Sequence, residues 1–291
     1  ISRTDAEFTR FLGGRSLDRA HTSKKPVTPW TEFVSLRRWN SFSPNLASRG
    51  TTTVGGGYLV RIWDNAVENY VGVAIDPGYN YLENLFDEGF TLPDLDVIVI
   101  THAHPDHVEN LSNILTLLRE RKKRLKETSR VFLILTEGVL QRFNTLFDNE
   151  IEFIEDVVVL SWAQPNHSTV NVLRRPNAPK NGRPISLWMG KTSSPLASIQ
   201  AVPAIHADGT QYDSMGVLLT IPCQAHDNLR IGFTGDTRYT KMLCSKGSFA
   251  DCDVLVPHLG SVIESEKFRD LHEIWRQSDH EKRLEKVVGE L

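Results

Sequence analysis

The stretch Asp96-Val97-Ile98-Val99-Ile100-Thr101-His102-Ala103-His104-Pro105-Asp106-His107 decides how this chain is read. Its first half is a continuous apolar run rich in β-branched residues, the pattern of a strand buried on both faces. Its second half places three histidines and an aspartate within six positions. Such a cluster is costly as packing material, whereas borderline divalent cations take imidazole and carboxylate ligands. In a segment leaving a strand end, His102 and His104 can share one ion, and Asp106 and His107, further on, can aim at a second. The bland alternative, a polar loop of unrelated histidines, leaves the spacing unexplained. Strand ends are also where α/β proteins place their sites.

Working outward, Tyr58–Trp63 and Tyr70–Ile75 form a hairpin pattern ahead of this stretch, and Asp76-Pro77-Gly78 breaks the second run. Tyr81–Gly89 reads as a short helix. Leu111, Ile114, Leu115, Leu118 and Leu125 give Glu109–Glu127 one apolar face at helical spacing. Val131–Leu135 reads as a strand, Val139–Phe147 as a helix and Val157–Leu160 as a short strand. A segment rich in Pro, Asn and basic residues, about 161–185, reads as a long loop. Strand patterns return at Ser198–Ile205, Gly216–Ile221, Leu229–Thr234 and Asp253–Val256. Residues 1–50 read as an irregular polar extension packed on a domain spanning 51–291, whose end, about 264–291, is charged and helical in pattern. The alternation predicts a mixed α/β layered fold.

The chain has 291 residues, is 40% hydrophobic and 24% charged, and carries a net charge of −3. Those values exclude wholesale disorder and give no global signal for nucleic acid. No run approaches the ~18 apolar residues of a membrane helix. Three cysteines without CxxC spacing exclude a dense disulfide framework, so a reducing cytoplasm is the expected location. Residue 1 is isoleucine, and the expectation is a piece of a longer parent chain with other domains or subunits as partners.

The His102–His107 segment resembles the metal motif of the metallo-β-lactamase-fold hydrolases. The resemblance extends over roughly residues 55–260. Asp76-Pro77-Gly78 is similar to the family's first aspartate motif, and Phe233-Thr234-Gly235-Asp236-Thr237 to its bridging-aspartate motif. His206, after Ala201-Val202-Pro203-Ala204-Ile205, stands where the family carries its third histidine and is preferred to His167 and His226. The resemblance implies an αββα four-layer sandwich, with His102, His104 and His206 on a first metal, Asp106 and His107 on a second, and Asp236 bridging them. Asp76 would support the histidines by hydrogen bonds without touching metal. The family's late histidine is either His258, after Leu255-Val256-Pro257, or one beyond Leu291; His272 and His280 read as surface residues.

The motif style is similar to the tRNA 3′-processing ribonucleases, phosphodiesterases and sugar-phosphate lactonases. It implies two Zn²⁺ ions, with Mn²⁺ or Fe also admissible. The expected activity is phosphodiester hydrolysis by a metal-bound hydroxide on an anionic substrate, nucleic acid included, with Asp106 handling the water proton and His258 acting as general acid. Two alternatives stay open: a hydrolase of a lactone or cyclic nucleotide, and a metal-binding effector domain of a larger assembly. Arg119–Lys126 is strongly basic and reads first as a solvated helix face, second as a phosphate-attracting patch.

Overall fold

Alternating side-chain direction sorts the strands into two sheets with a shared interior. The structure, a computed structural model, describes residues 3–13, 31–37, 55–64, 69–164, 168–174, 187–190, 195–204, 206, 214–223, 228–237, 243 and 248–258. The first sheet has the order β1-β2-β3-β4-β5-β6, with β1 at Glu32–Ser35, β2 at Tyr58–Asp64, β3 at Asn69–Ile75, β4 at Val97–Val99, β5 at Val131–Leu135 and β6 at Ile154–Val159. β1, β2 and β3 are antiparallel, and β3 to β6 run parallel. The second sheet comprises β7 (Thr169–Arg174), β8 (Leu187–Gly190), β9 (Ala197–Pro203), β10 (Met215–Ile221), β11 (Leu229–Phe233) and β12 (Val254–Val256), in the order β12-β11-β10-β9-β7-β8.

Val97, Val99, Phe132 and Ile134 point from the first sheet toward Val217, Leu219 and Ile231 of the second. Their neighbours Ile98, Ile100, Leu133 and Leu135 point the other way, onto a helical layer. That two-sided burial explains why β4 and β5 carry no polar residue. The layer consists of α1 (Arg3–Leu12), α2 (Tyr81–Asp87), α3 (Pro105–Leu125) and α4 (Glu137–Glu150). α3 packs through Leu111, Ile114, Leu115 and Leu118, the stripe visible in its spacing. On the outer face of the second sheet, Val202 and Leu218 are covered by Leu243 and Phe249. The described residues therefore build helices, sheet and sheet. The helical pattern over 264–291 lies outside them. No described helix is long and apolar enough to cross a membrane.

Several expectations are corrected. The segment 1–50 is not irregular throughout: α1 buries Phe11 and Leu12 in the helical layer, and β1 is the edge strand of the first sheet. The segment 161–185 is not one long loop, because Thr169–Arg174 pairs with both β8 and β9. α3 starts at Pro105, not Glu109, since proline at the first helical position loses no hydrogen bond and presets φ. Asp106 and His107 thus occupy the first turn of a helix. Trp63 meets Tyr70 edge-on in β2–β3, while Trp30 and Trp39 lie outside the described residues.

Arg119–Lys126 follows its bland reading. Arg121 is buried and donates to Leu12 O, Gly13 O and Glu127. Arg119 pairs with Glu150 and Lys122 with Glu152, while Lys123 and Arg124 pair with Glu120. The basic loop 175–186 lies outside the described residues.

Candidate metal centre

Every candidate residue among the described ones sits at a strand end on one rim of the two sheets. Asp76 ends β3; His102, His104, Asp106 and His107 follow β4; His206 follows β9; Asp236 follows β11; His258 follows β12. Asp76 N–H donates to Val99 O at 2.9 Å, extending the β3–β4 pairing, and Met215 N–H donates to Thr101 O at 3.0 Å, tying the second sheet to the first. Glycine is required twice here. A Cβ on Gly78 would lie 1.8 Å from Asp106 O, so only glycine lets the Asp76 turn seat against α3. Gly235 has φ +58°, and a Cβ there would lie 2.8 Å from Met215 O.

Asp76 is fully buried and organises the histidine segment. Its Oδ1 accepts the Thr101 N–H at 2.8 Å, and its Oδ2 accepts the Thr101 hydroxyl and His107 Nδ1, each at 2.8 Å. Thr101 has spent its one hydroxyl proton on Asp76. At its 3.1 Å contact with His102 Nδ1 it must therefore accept. His102, held neutral, therefore carries its proton on Nδ1 and turns its Nε2 lone pair toward the rim, while His107 keeps its Nδ1–H on Asp76 and points Nε2 at the rim. Burial opposes ionisation of Asp76, but the charge and hydrogen bond of His107 outweigh it and hold its pKa at about 2. Burial likewise lowers His107, but Asp76, Asp106 and Asp236 overcome it and raise its pKa well above the ordinary value. Burial first, then the neighbouring His107, lowers His102 to about 3.

Two donor clusters result. In the first, His104 Nδ1 lies 3.1 Å from both His102 Nε2 and His206 Nε2, and Asp236 Oδ2 stands 3.9 Å from both Nε2 atoms. In the second, His107 Nε2 lies 3.4 Å from Asp106 Oδ2 and 3.4 Å from Asp236 Oδ1. Asp236 thus offers one oxygen to each cluster. Burial works against its charge, but His107 holds its pKa well below the carboxylate range.

These residues fit metal. Four zinc ligands at roughly 2.0–2.1 Å in a tetrahedron stand about 3.3 Å apart, close to the separations observed. In the first cluster His102 Nε2 can only accept, so His104 Nδ1 must spend its proton there and has no lone pair left to receive one from His206 Nε2. A cation satisfies all three nitrogens. In the second, His107 Nε2 is buried with no hydrogen-bond partner and faces two carboxylates. Each cluster's donor atoms lie within 4.8 Å of one another and could hold a metal ion.

His258 falls in neither cluster. Its ring centre is 5.5 Å from that of His107, edge to face, and 5.6 Å from that of Tyr58. Its backbone N–H donates to Thr234 Oγ1 at 2.9 Å, while both ring nitrogens are buried without a partner. Burial, then the Arg37 and His107 charges, lowers its pKa to about 3. Burial thus favours the neutral imidazole, the form a metal ligand takes. His167, His226, His272 and His280 lie outside the described residues.

Sequence reasoning passed over two residues that matter at this rim. Thr101 sets the His102 tautomer, and its place directly before the first histidine was the available signal. Arg37, within the N-terminal segment read as an irregular polar extension, carries a charge that helps lower the His258 pKa.

With this geometry in view, the comparison with known families is direct. Residues 72–278 match the beta-lactamase superfamily domain, and the chain belongs to that family. Its two-sheet α/β architecture is the metallo-β-lactamase fold, a fold of hydrolytic metalloenzymes. Similar solved structures include the metallo-beta-lactamase fold protein YhfI from Bacillus subtilis, at 14% identity and TM-score 0.49, covering 78% of this chain and 70% of that one. The long form RNase Z from yeast is 18% identical with TM-score 0.49, over 76% of this chain and 31% of that one. Human tRNase Z, short form, is 14% identical with TM-score 0.38, over 64% of each chain. No curated protein sequence matches.

Proposed function

We propose that this protein is a dinuclear metal-dependent hydrolase of phosphodiesters, nucleic acid among its candidate substrates. The observation that carries the reading is Asp236, whose two oxygens face two separate donor clusters. A carboxylate so placed can bridge two cations that would otherwise repel each other. His102, His104 and His206 would hold the first ion, and Asp106 and His107 the second, with His258 completing the second as a neutral imidazole. Such a pair, zinc by the chemistry of the histidines, lowers the pKa of water and neutralises charge on a phosphoryl oxygen.

The chain's own residues supply the rest. Asp76 keeps both Nε2 atoms aimed at the rim, so the rings need not turn when the ions enter, and His107 would give up its Nε2 proton on binding. Asp106, 16% exposed at its side chain, is the carboxylate within reach of a water proton. Arg142, on α4, donates to Ala103 O and braces the backbone between His102 and His104.

Turnover of bis-p-nitrophenyl phosphate tests the reading. Activity should depend on added Zn²⁺ or Mn²⁺ and vanish with EDTA. Full turnover in chelator-treated protein overturns it. Turnover of a lactone in place of the diester favours the small-molecule alternative, and metal binding without any turnover favours the effector domain.

A further inference from the structure

Arg37 is unaccounted for by the centre described above. It stands just past β1 on rigid backbone. Leu36, fully buried, donates its N–H to Gly57 O at 3.0 Å and accepts Asn84 Nδ2 at 2.9 Å. The guanidinium carbon lies 5.9 Å from the Tyr58 ring centre, and the Tyr58 ring, tilted 35°, lies 5.6 Å from that of His258, which adjoins His107. Arg37 is thereby placed on the His258 side of the centre. Its Nε and Nη2 are buried and make no hydrogen bond.

That pattern differs from that of the two buried arginines, although Arg37 as a whole is only half-buried. Arg61 is paired with Glu32 at 2.7 Å and covered by Tyr70, and Arg121 reaches Glu127 and two carbonyls. The carboxylates of the centre are engaged with their own partners: Asp76 with Thr101 and His107, Asp236 with the two clusters. A guanidinium does not shed its proton in a protein, so the two buried nitrogens stay donors. Buried donors without an acceptor are unfavourable, and an incoming oxyanion would remove that cost. Nε and Nη2 form one edge of the guanidinium fork, which matches two oxygens of a single oxyanion.

We propose that Arg37 is a substrate-binding residue that grips two oxygens of the phosphoryl group beside the second cluster, so that the N-terminal segment carries part of the site. The location rests on the hydrolase reading; the anion-binding claim does not require turnover.

The test is calorimetric titration of inorganic phosphate into the full chain, both EDTA-treated and zinc-loaded. Phosphate should bind the metal-free protein, and Arg37→Met should weaken it about ten-fold or more, the loss of one charge-assisted pair. Arg37→Lys, which keeps charge and loses the fork, should fall between, with zinc content unchanged in both variants. In turnover assays R37M should raise KM more than it lowers kcat. Equal phosphate binding by wild type and R37M, or none by wild type, overturns the proposal; so does acetate binding as tightly as phosphate. If R37M does not fold, R37K decides by the same comparison. Phosphate binding that depends on Arg37 in a protein inactive with every metal would sink the hydrolase reading and leave this one standing.

Discussion

The two halves of the candidate centre are built differently. The half from the first sheet delivers four donors from one short segment, and its anchor is buried: His107 and the supporting Asp76 are fully covered and the His102 side chain is 4% exposed. The half from the second sheet delivers His206, Asp236 and His258 singly, each from its own strand end, with His206 at 22% and Asp236 at 33% exposure. One carboxylate, Asp76, orients two histidines in the first half. Among the described residues the second half relies on Thr234, which receives the His258 N–H, and Ser214, which donates to Asp236 O at 3.1 Å. The lesson is a division of labour. The first half is organised before any ligand arrives, whereas the second is open and becomes a site only by meeting the first.

Asp236→Ala attacks the point where the halves meet and should have the largest effect. Turnover should fall to background, and metal content should drop from two ions per chain toward one or none by elemental analysis. Retention of two ions would show that the halves do not share this carboxylate.

Asp76→Asn attacks the first half from beneath. An amide cannot accept from both Thr101 and His107 on its nitrogen side, so one tautomer is released. Metal affinity or activity should drop about 10–100-fold. The buried carboxylate is also paired to His107, so urea unfolding of the metal-free protein should show a loss of about 3–5 kcal/mol. A variant as stable and as tight for zinc as wild type would remove Asp76 from its organising role.

A pH series separates the halves next. His102 and His258 have folded pKa values near 3 against 6.5 for the free side chain. Between those values the unfolded chain binds more protons, so stability falls as pH falls, by about 1.4 kcal/mol per unit for each group. His107 acts oppositely: its raised pKa contributes stability that is complete below 6.5 and lost as pH rises through the folded value. Urea titrations of metal-free protein at pH 4.5, 5.5 and 6.5 should show the decline. His258→Asn should flatten it by about one group's share, and an unchanged slope would mean that His258 is not held neutral.

The smallest effect serves as control. Lys122→Ala and Lys123→Ala remove exposed ion pairs on α3, away from both halves. Stability should change by no more than about 0.5 kcal/mol, and diester turnover should not change. A marked loss of nucleic-acid binding in the double variant would revive the phosphate-attracting reading of that helix face.

Legibility in the sequence follows the same division. The buried strand and its six-residue histidine cluster could be read directly, because ligand spacing and strand pattern are both local. His206 and Asp236 could be placed only through resemblance, since a lone histidine after a strand and a Gly-Asp turn are common in isolation. β1 escaped notice because Glu32-Phe33-Val34-Ser35 is four residues long and half polar, as an edge strand can be. α1 was missed although Phe8, Phe11 and Leu12 sit at helical spacing. β7 was hidden by the Pro, Asn and Arg residues around Val170 and Val172.

The amino-acid order by itself determined the layered α/β class, the α3 face and the identity of the donor-rich segment, because each depends on neighbours along the chain. Only the tertiary structure decided that Thr101 and Asp76 orient the histidines, that Asp236 divides its oxygens between two clusters, and that Arg37 lies over Tyr58, which adjoins His258. Those are distances of about 3–6 Å between residues dozens to hundreds of positions apart, and no local pattern encodes them; they exist because two sheets pack face to face and bring their strand ends to one rim.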